Sequence, residues 1–255
     1  MKKLFLLVFI LMVMLLPSYN VVKADENQEY SEETQEWLTW FNSLSFEERV
    51  TVNYRPAELL LDPNYNEISF LEAATVVSSS GINEYIPDDP GTGGTMVVGG
   101  YELSYNPSYW NGWRINYANC YLYALNFVSS STSFSTQQPG YKAGSPYSYL
   151  TGSSIISAVQ QGIPYLSNVT GIRPSSSSEV PGVNEYKVAL VIAPGYDYHW
   201  YRQNPDSTWS HKRGHTAVIK TDASGNTIYN PQTCNRNYGS GLNYSTFVGF
   251  YIISY

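Results

Sequence analysis

Apolar and polar residues follow two different periods along the chain, and the period changes near residue 186. Before this point, apolar residues recur at helical spacing in three segments, which predicts helices at Ser31–Leu44, Asn116–Val128 and Ser153–Gln161. After it, apolar and polar residues alternate singly, which predicts strands. Helices followed by a mostly antiparallel sheet indicate an α+β fold.

Capping residues refine the prediction near the N-terminus. Ser31 is a candidate N-cap, and Glu32 and Glu33 suit the first turn because carboxylates interact favourably with the positive end of a helix. Ser45 is the candidate cap of a short second helix. Ala57–Leu61 is a candidate for one further helical turn.

Turn residues separate the expected strands in the second half of the chain. The sequence Asp222–Asn226 is typical of a tight turn between two strands, and the serine-rich stretch Arg173–Glu179 predicts a mobile loop. The expected strands are Lys187–Ala193, Tyr196–Gln203, Trp209–Lys212, Thr216–Thr221, Thr227–Asn230 and Phe247–Ser254.

The three histidines of the chain, His199, His211 and His215, lie in one short aromatic-rich stretch. Two alternating segments flank an Asn-Pro-Asp-Ser turn sequence there, which predicts a β-hairpin. If Tyr201 pairs with Trp209, then His199 pairs with His211, and both imidazoles share one face of the sheet. A slip of one residue would place them on opposite faces.

Charge is divided unevenly along the chain. Residues 25–90 carry 15 acidic residues against Arg49 and Arg55, whereas residues 91–255 carry 6 acidic and 9 basic residues. Opposite charge favours contact between the two parts. We therefore expect the acidic part to lie against the rest of the chain, as a pro-region or a shield.

A Gly/Pro-rich stretch at residues 85–94 has the composition of a linker. We expect an acidic helical segment and linker over residues 25–92, and an α+β domain over residues 93–255.

The first residues have the pattern of a secretory signal. Lys2 and Lys3 precede the apolar run Leu4–Leu16, and Val22–Ala24 offers the small or aliphatic residues that a signal peptidase recognises. We expect residues 1–24 to be a signal peptide and the mature chain to be secreted, to the medium or the cell wall. The run is too short to predict a membrane span.

Two cysteines, Cys120 and Cys234, allow more than one interpretation. In an exported chain they are candidates for a disulfide, and Cys120 is also a candidate for a small buried core residue. Cys120 lies near the start of a predicted helix, where Asn116 or Asn119 could act as the cap. Unpaired N–H groups and the helix dipole lower the pKa of a thiol in that position and favour a nucleophilic thiolate.

A nucleophilic thiol requires a general base, and His199 is the candidate. A third polar group orients such an imidazole through its other ring nitrogen. His211 is the predicted orienting residue if the hairpin register holds, and Asn230 is the alternative. His215 follows a glycine and is expected to be solvated.

Clustered histidines also raise a metal site as an alternative. Asp197 is the best candidate for an acidic ligand beside His199, but no other ligand has suitable spacing, and we expect no metal or other cofactor. No Lys/Arg cluster exceeds Lys212–Arg213, which excludes a basic face for nucleic acid.

Three stretches resemble the papain-like thiol hydrolases, in particular the NlpC-type amidase and peptidase branch. They are Asn119–Leu125 (NCYLYAL), Asp197–Arg202 (DYHWYR) and Trp209–Lys212 (WSHK). The second and third are also similar to uncharacterised secreted bacterial proteins. The resemblance covers roughly residues 105–255. It implies a helix that carries Cys120 packed on an antiparallel sheet.

The resemblance also implies roles for the matching residues. Cys120 would be the nucleophile, His199 the base and His211 the orienting residue. Asn119, as a candidate cap, and Asn230, as the alternative orienting residue, are supporting residues suggested by the sequence itself. The expected function is that of a secreted, monomeric cysteine peptidase or amidase that cleaves amide bonds of peptides or cell-wall peptide stems, without nucleic-acid or membrane partners. The alternative is a non-catalytic, aromatic-rich binding module with a Cys120–Cys234 disulfide.

Overall fold

The computed structural model describes residues 30–62, 65 and 98–255 of the 255-residue chain. The predicted signal peptide, residues 1–24, and the predicted linker at residues 85–94 lie outside the described residues.

The described N-terminal part is helical, as predicted. It forms α1 (Glu32–Ser43), α2 (Phe46–Arg49) and α3 (Ala57–Leu61). The Ser31 hydroxyl caps α1 by accepting the Thr34 backbone N–H at 3.3 Å. Ser45 and Glu48 form a reciprocal capping box at the start of α2. Both predicted caps are therefore confirmed.

Six antiparallel strands form one open sheet in the order β1–β6–β2–β3–β4–β5. The strands are β1 (Gly171–Ser175), β2 (Glu185–Ala193), β3 (Asp197–Gln203), β4 (Trp209–Lys212), β5 (Val218–Ile219) and β6 (Thr246–Ser254). The α+β class and the antiparallel sheet are confirmed.

One loop prediction and one strand prediction were wrong. The predicted loop Arg173–Glu179 begins within β1, where Pro174 pairs with Tyr251 at the edge of the sheet. Proline is tolerated there because an edge strand needs only half of its backbone groups for pairing. The predicted strand at Thr227–Asn230 is reduced to isolated bridges, one of which joins Trp209 to Ile228.

Among the described residues, three further α-helices precede the sheet: α4 (Pro107–Asn111), α5 (Cys120–Ala124) and α6 (Gly152–Gly162). The α6 helix agrees with its prediction. The α5 helix is much shorter than the predicted Asn116–Val128. The Asn119 side chain caps its start, and Asn126 adopts a left-handed conformation (φ 53°) just beyond its end. The Phe127 N–H then returns to the Leu122 carbonyl at 2.9 Å, which closes the helix.

One hydrophobic core joins the described N-terminal helices to the sheet. Trp37 and Phe41 of α1 are buried, and the Trp37 indole donates to the Tyr196 carbonyl at 2.9 Å. Trp40 donates to the Ser240 carbonyl at 2.8 Å, in the loop before β6. The described part of the acidic segment is thus packed into the rest of the molecule.

Within residues 30–62, 65 and 98–255, no helix has both the length and the apolar content required to cross a membrane.

Candidate functional site

The β3–β4 hairpin forms, but its predicted register is wrong by two residues. Tyr201 pairs with His211, and Trp209 pairs with Gln203. The loop is closed by the Asn204 N–H to the Thr208 carbonyl at 2.8 Å, so its centre lies one residue later than predicted. A shift of two preserves the side-chain face because the strand period is two. His199 and His211 therefore still meet, as diagonal neighbours.

The two histidines form a hydrogen-bonded relay. His199 Nε2 lies 2.8 Å from His211 Nδ1, and His211 Nε2 lies 2.9 Å from the Thr221 carbonyl oxygen. A carbonyl only accepts, so His211 carries its proton on Nε2 and accepts through Nδ1. His199 must then donate from Nε2, which leaves a lone pair on its Nδ1. That buried Nδ1 has no hydrogen-bond partner among the described residues.

Both imidazoles are fully buried and neutral. Burial lowers the pKa of His211 to about 4. Burial, then the neighbouring His211 and Arg213, hold the pKa of His199 well below its usual range. In this buried state the His199 Nδ1 lone pair is unprotonated, but the low pKa makes the imidazole a weak base.

The Cys120 thiol lies against the β3 backbone at His199. Its sulfur is 3.9 Å from the Tyr198 carbonyl oxygen and interacts with the Trp200 backbone, so it contacts the peptide groups on both sides of His199. The Tyr198 carbonyl shares a peptide group with the backbone nitrogen of His199. The sulfur therefore lies at most about 6 Å from that backbone nitrogen. No hydrogen bond joins the sulfur to His199 Nδ1 in the described part of the chain.

The expected lowering of the Cys120 pKa was wrong. Burial, followed by the Asp197 carboxylate, raises the pKa of the thiol well above its usual value. Hydrogen bonds to the backbone and the positive charge of Lys212 each lower the pKa, but they offset only part of this rise. The helix behind the thiol has only five residues, and its sulfur is inaccessible to water. In this conformation the thiol is neutral.

The Cys120–Cys234 disulfide that the sequence allowed as an alternative is absent, since both thiols are free. Cys120 is buried at the start of α5, whereas the Cys234 sulfur contacts the Pro231 carbonyl in the loop before β6. The disulfide-closed alternative is thereby corrected.

Asn53 was not predicted from the sequence, yet it joins Cys120, Asp197 and the Gly214 backbone. Its side-chain oxygen accepts the Cys120 N–H at 3.2 Å and the Gly214 N–H at 3.0 Å. Its side-chain nitrogen donates to an Asp197 oxygen at 3.0 Å and to the Tyr198 carbonyl at 3.3 Å. Asn53 lies in the acidic segment, far from the hairpin in sequence, and no local pattern distinguishes it from other asparagines.

Asp197 occupies a structural position rather than that of a metal ligand. Its carboxylate accepts the backbone N–H groups of Asn53, Tyr54 and Tyr198 and the hydroxyl of Tyr244. Burial raises its pKa to about 6, although these hydrogen bonds oppose the shift. Among the described residues no group of three or more metal-binding side chains comes together.

The remaining candidates take other places. The Asn230 side chain accepts the Gln232 N–H at 2.9 Å, as part of a turn. Asn119 is the cap of α5. The prediction of a solvated His215 was wrong: its ring is buried, stacks on Phe134 at 3.8 Å between centroids and contacts Gln137.

The described residues thus form an α+β protein in which a buried thiol lies against the strand that carries His199 of a two-histidine relay. No family model matches the sequence, and no solved structure matches the chain. The chain is 35% identical over 147 residues to insoluble matrix shell protein 1 of Ruditapes philippinarum, a match that covers 57% of this chain and 86% of the relative. The chain therefore belongs to the same family as that protein.

Proposed function

We propose that this chain is a cysteine hydrolase of amide bonds, with a papain-like arrangement in which Cys120 is the nucleophile, His199 the base and His211 the orienting residue. The observation that carries the proposal is the relay from Thr221 through His211 to His199. It fixes both tautomers and leaves the His199 Nδ1 lone pair free, and the free Cys120 thiol lies against the backbone of the same strand.

In the proposed reaction the Cys120 proton moves to His199 Nδ1 as the sulfur attacks the amide carbon. His199, now cationic, returns the proton to the departing nitrogen as the C–N bond breaks, and a thioester remains. Water then attacks the thioester carbon and His199 takes a proton from the water. The C–S bond breaks, and His199 returns the proton to the Cys120 sulfur. The products are an amine and a carboxylic acid. His211 stabilises the cationic His199 by accepting a hydrogen bond from its Nε2–H group.

The neutral thiol and neutral imidazole define a resting state. Cys120, His199 and His211 are each 0% exposed, so a substrate reaches them only after covering residues move. The substrates that we propose are peptides or cell-wall peptide stems.

The test compares amide hydrolysis by single variants of the full chain. Cys120→Ser and His199→Ala should lose activity by about a thousandfold or more, and His211→Ala should lose less because it acts only through His199. The readout is amine release from peptides and peptidoglycan fragments.

Two matched controls separate chemistry from stability. Cys234→Ser removes the other free thiol, and His215→Gln removes the other buried histidine. Both should retain activity wherever the protein remains folded. A Cys120→Ser variant as active as the wild type, or a wild-type chain that cleaves none of these bonds, contradicts the proposal.

A second candidate follows from the relative. We propose that the protein is extracellular and that a fraction of its molecules enters an insoluble extracellular matrix, because the name of the 35% identical protein describes an insoluble shell matrix protein. The signal-like first residues support export. Fractionation of an expressing culture should find the chain outside the cells and in insoluble material. A chain found only in solution contradicts the matrix role.

A further inference from the structure

The Asn53 side chain is held as a bound amide would be held. Its carbonyl oxygen accepts two backbone N–H groups, from Cys120 and from Gly214, which come from different segments of the chain. Two converging N–H donors beside a nucleophile are the arrangement that stabilises the oxygen of an attacked carbonyl. One of the two donors here belongs to the proposed nucleophile itself.

The nitrogen of the same side chain faces two acceptors. It lies 3.0 Å from an Asp197 carboxylate oxygen and 3.3 Å from the Tyr198 carbonyl oxygen. The Cys120 sulfur contacts the same Tyr198 oxygen at 3.9 Å. A primary carboxamide has two N–H groups to donate, whereas a backbone amide has one and a carboxylate has none.

A second observation concerns the base beside this cluster. The His199 Nδ1 atom is buried and lacks a hydrogen-bond partner within the described residues. A buried polar atom normally finds a partner, so an unpartnered one calls for an explanation. A substrate that donates an N–H group to this lone pair would supply the partner.

We propose that the Cys120 N–H, the Gly214 N–H, the Tyr198 carbonyl and the Asp197 carboxylate form a binding site for a primary carboxamide, which the protein's own Asn53 fills in this conformation. This inference rests on the proposed function and specifies its substrate class: side-chain carboxamides of glutamine or asparagine. With such a substrate the C–N bond breaks, ammonia takes the proton from His199, and water converts the thioester to a carboxylate.

The test removes the Asn53 carboxamide by mutation and adds acetamide in solution to take its place. Asn53→Ala keeps the backbone contacts of residue 53 with Asp197 and Gln138 but removes the carboxamide. Acetamide should raise the melting temperature of this variant, because it restores the donors and the acceptor. Acetate at the same concentration should not, because it has no N–H to offer and meets the Asp197 carboxylate.

Asn204→Ala is the matched control. Asn204 is also a buried asparagine with two side-chain hydrogen bonds, to Thr208 and Ser210, at the far end of β3. Acetamide should leave its melting temperature and that of the wild type unchanged. If Asn53→Ala folds poorly, the folded fraction at low temperature is measured with each additive, and Asn53→Ser is tested in parallel.

Alkylation of the thiol gives a second readout that is independent of turnover. Iodoacetamide carries the proposed ligand group, and iodoacetate is its acidic counterpart. In Asn53→Ala, iodoacetamide should modify Cys120 about tenfold faster than in the wild type, as expected for the gain of hydrogen-bonded binding. The preference for iodoacetamide over iodoacetate should be greater at Cys120 than at Cys234, which serves as the internal reference.

The outcomes separate this inference from the proposed function. Equal effects of acetamide and acetate on Asn53→Ala, or equal probe preferences at the two cysteines, overturn the carboxamide site and leave Asn53 as a structural crosslink. Hydrolysis of peptides by the wild type would then still support the hydrolase. Selective acetamide rescue and alkylation without ammonia release from glutamine or asparagine peptides support the site and count against hydrolysis.

Discussion

Asp197 is the residue on which the N-terminal part and the sheet depend most directly. Its buried carboxylate accepts from the Asn53 backbone and side chain, from Tyr54 at 2.5 Å and from Tyr244 at 2.8 Å. Burial nevertheless raises its pKa to about 6, so the folded state holds a proton on it at pH values where an unfolded chain does not.

We expect the Asp197→Asn variant to lose a specific part of the pH dependence of stability. The carboxyl of the unfolded chain has the usual aspartate pKa of 3.8, whereas the pKa of the folded one is about 6. The contribution of Asp197 is therefore fully present below pH 4 and falls as the pH rises to 6, by roughly 3 kcal/mol. Urea unfolding at several pH values should show the wild type losing this amount of stability relative to Asp197→Asn.

Asp206 provides a control of opposite sign. Its hydrogen bonds with Lys220 and Thr208 outweigh partial burial and lower its pKa. Its contribution is present above its unfolded pKa and is lost as the pH falls, so the wild type should not lose stability relative to Asp206→Asn between pH 4 and 6. A constant difference between the wild type and Asp197→Asn over that range would contradict the assignment to Asp197.

Among single residues, the sequence is sufficient to predict candidates whose residue type is rare in the chain and whose local sequence pattern is informative. Cys120, His199 and His211 are of that kind: the two imidazoles are hydrogen-bonded, and the Cys120 sulfur lies against the backbone of the strand that carries His199. Asn53 is not, because its partners Cys120 and Asp197 lie 67 and 144 residues away. The pKa of Cys120 also depends on burial, which follows from tertiary packing and not from its position in a helix.

The β3–β4 hairpin is the element that sets the histidine relay, and its turn contains a strained residue. Ser207 adopts a left-handed conformation, with φ 66°, at the last position of the loop that Asn204 and Thr208 close. Loops of this form favour glycine at that position because a side chain there is unfavourable.

Ser207→Gly should stabilise the protein by about 0.5–1 kcal/mol, since glycine adopts the left-handed conformation without the steric cost. Thermal unfolding measures the effect, and Ser207→Ala serves as the control that retains a Cβ. The relay distances should be unchanged, so any hydrolysis should be unchanged too. Equal melting temperatures for the two variants would refute the role of strain.

Predictions of helices and strands succeed where a regular apolar pattern extends over many residues. They fail where a few backbone hydrogen bonds determine the end of an element or its register. The α1 and α6 helices and the strands β2, β3 and β6 follow from regular apolar spacing. The end of α5 depends on one left-handed residue, Asn126, and the hairpin register depends on which pair closes the loop. The edge strand β1 has no alternation to reveal it, because only pairing with β6 defines it.

All three histidines of the chain are buried and neutral in the folded protein. His199, His211 and His215 are all buried, and burial is the largest cause that lowers the pKa of each. Unfolding releases them to water, where each binds a proton below about pH 6.5. Their contribution to stability is present above that pH and is lost as the pH falls.

We therefore expect acid to unfold the protein early. Near pH 5, unfolding takes up about three protons at histidines and releases about one at Asp197, so stability should fall by about 3 kcal/mol per pH unit on acidification. Urea unfolding between about pH 4.5 and 6 measures the slope. His215→Gln should reduce it by about one proton, and an unaltered slope in that variant would count against this origin.

The crosslink at Asn53 has a consequence for the order in which the chain acquires its structure. Its hydrogen bonds to Cys120, Asp197 and Gly214 span 67, 144 and 161 residues. Contacts of such separation form late in folding, because a long loop must close first. Until residue 214 is available, an emerging chain presents Cys120 to solvent with the chemistry of an ordinary thiol. The period of greatest vulnerability to oxidation or crosslinking therefore lies in synthesis and export, before the native contacts exist.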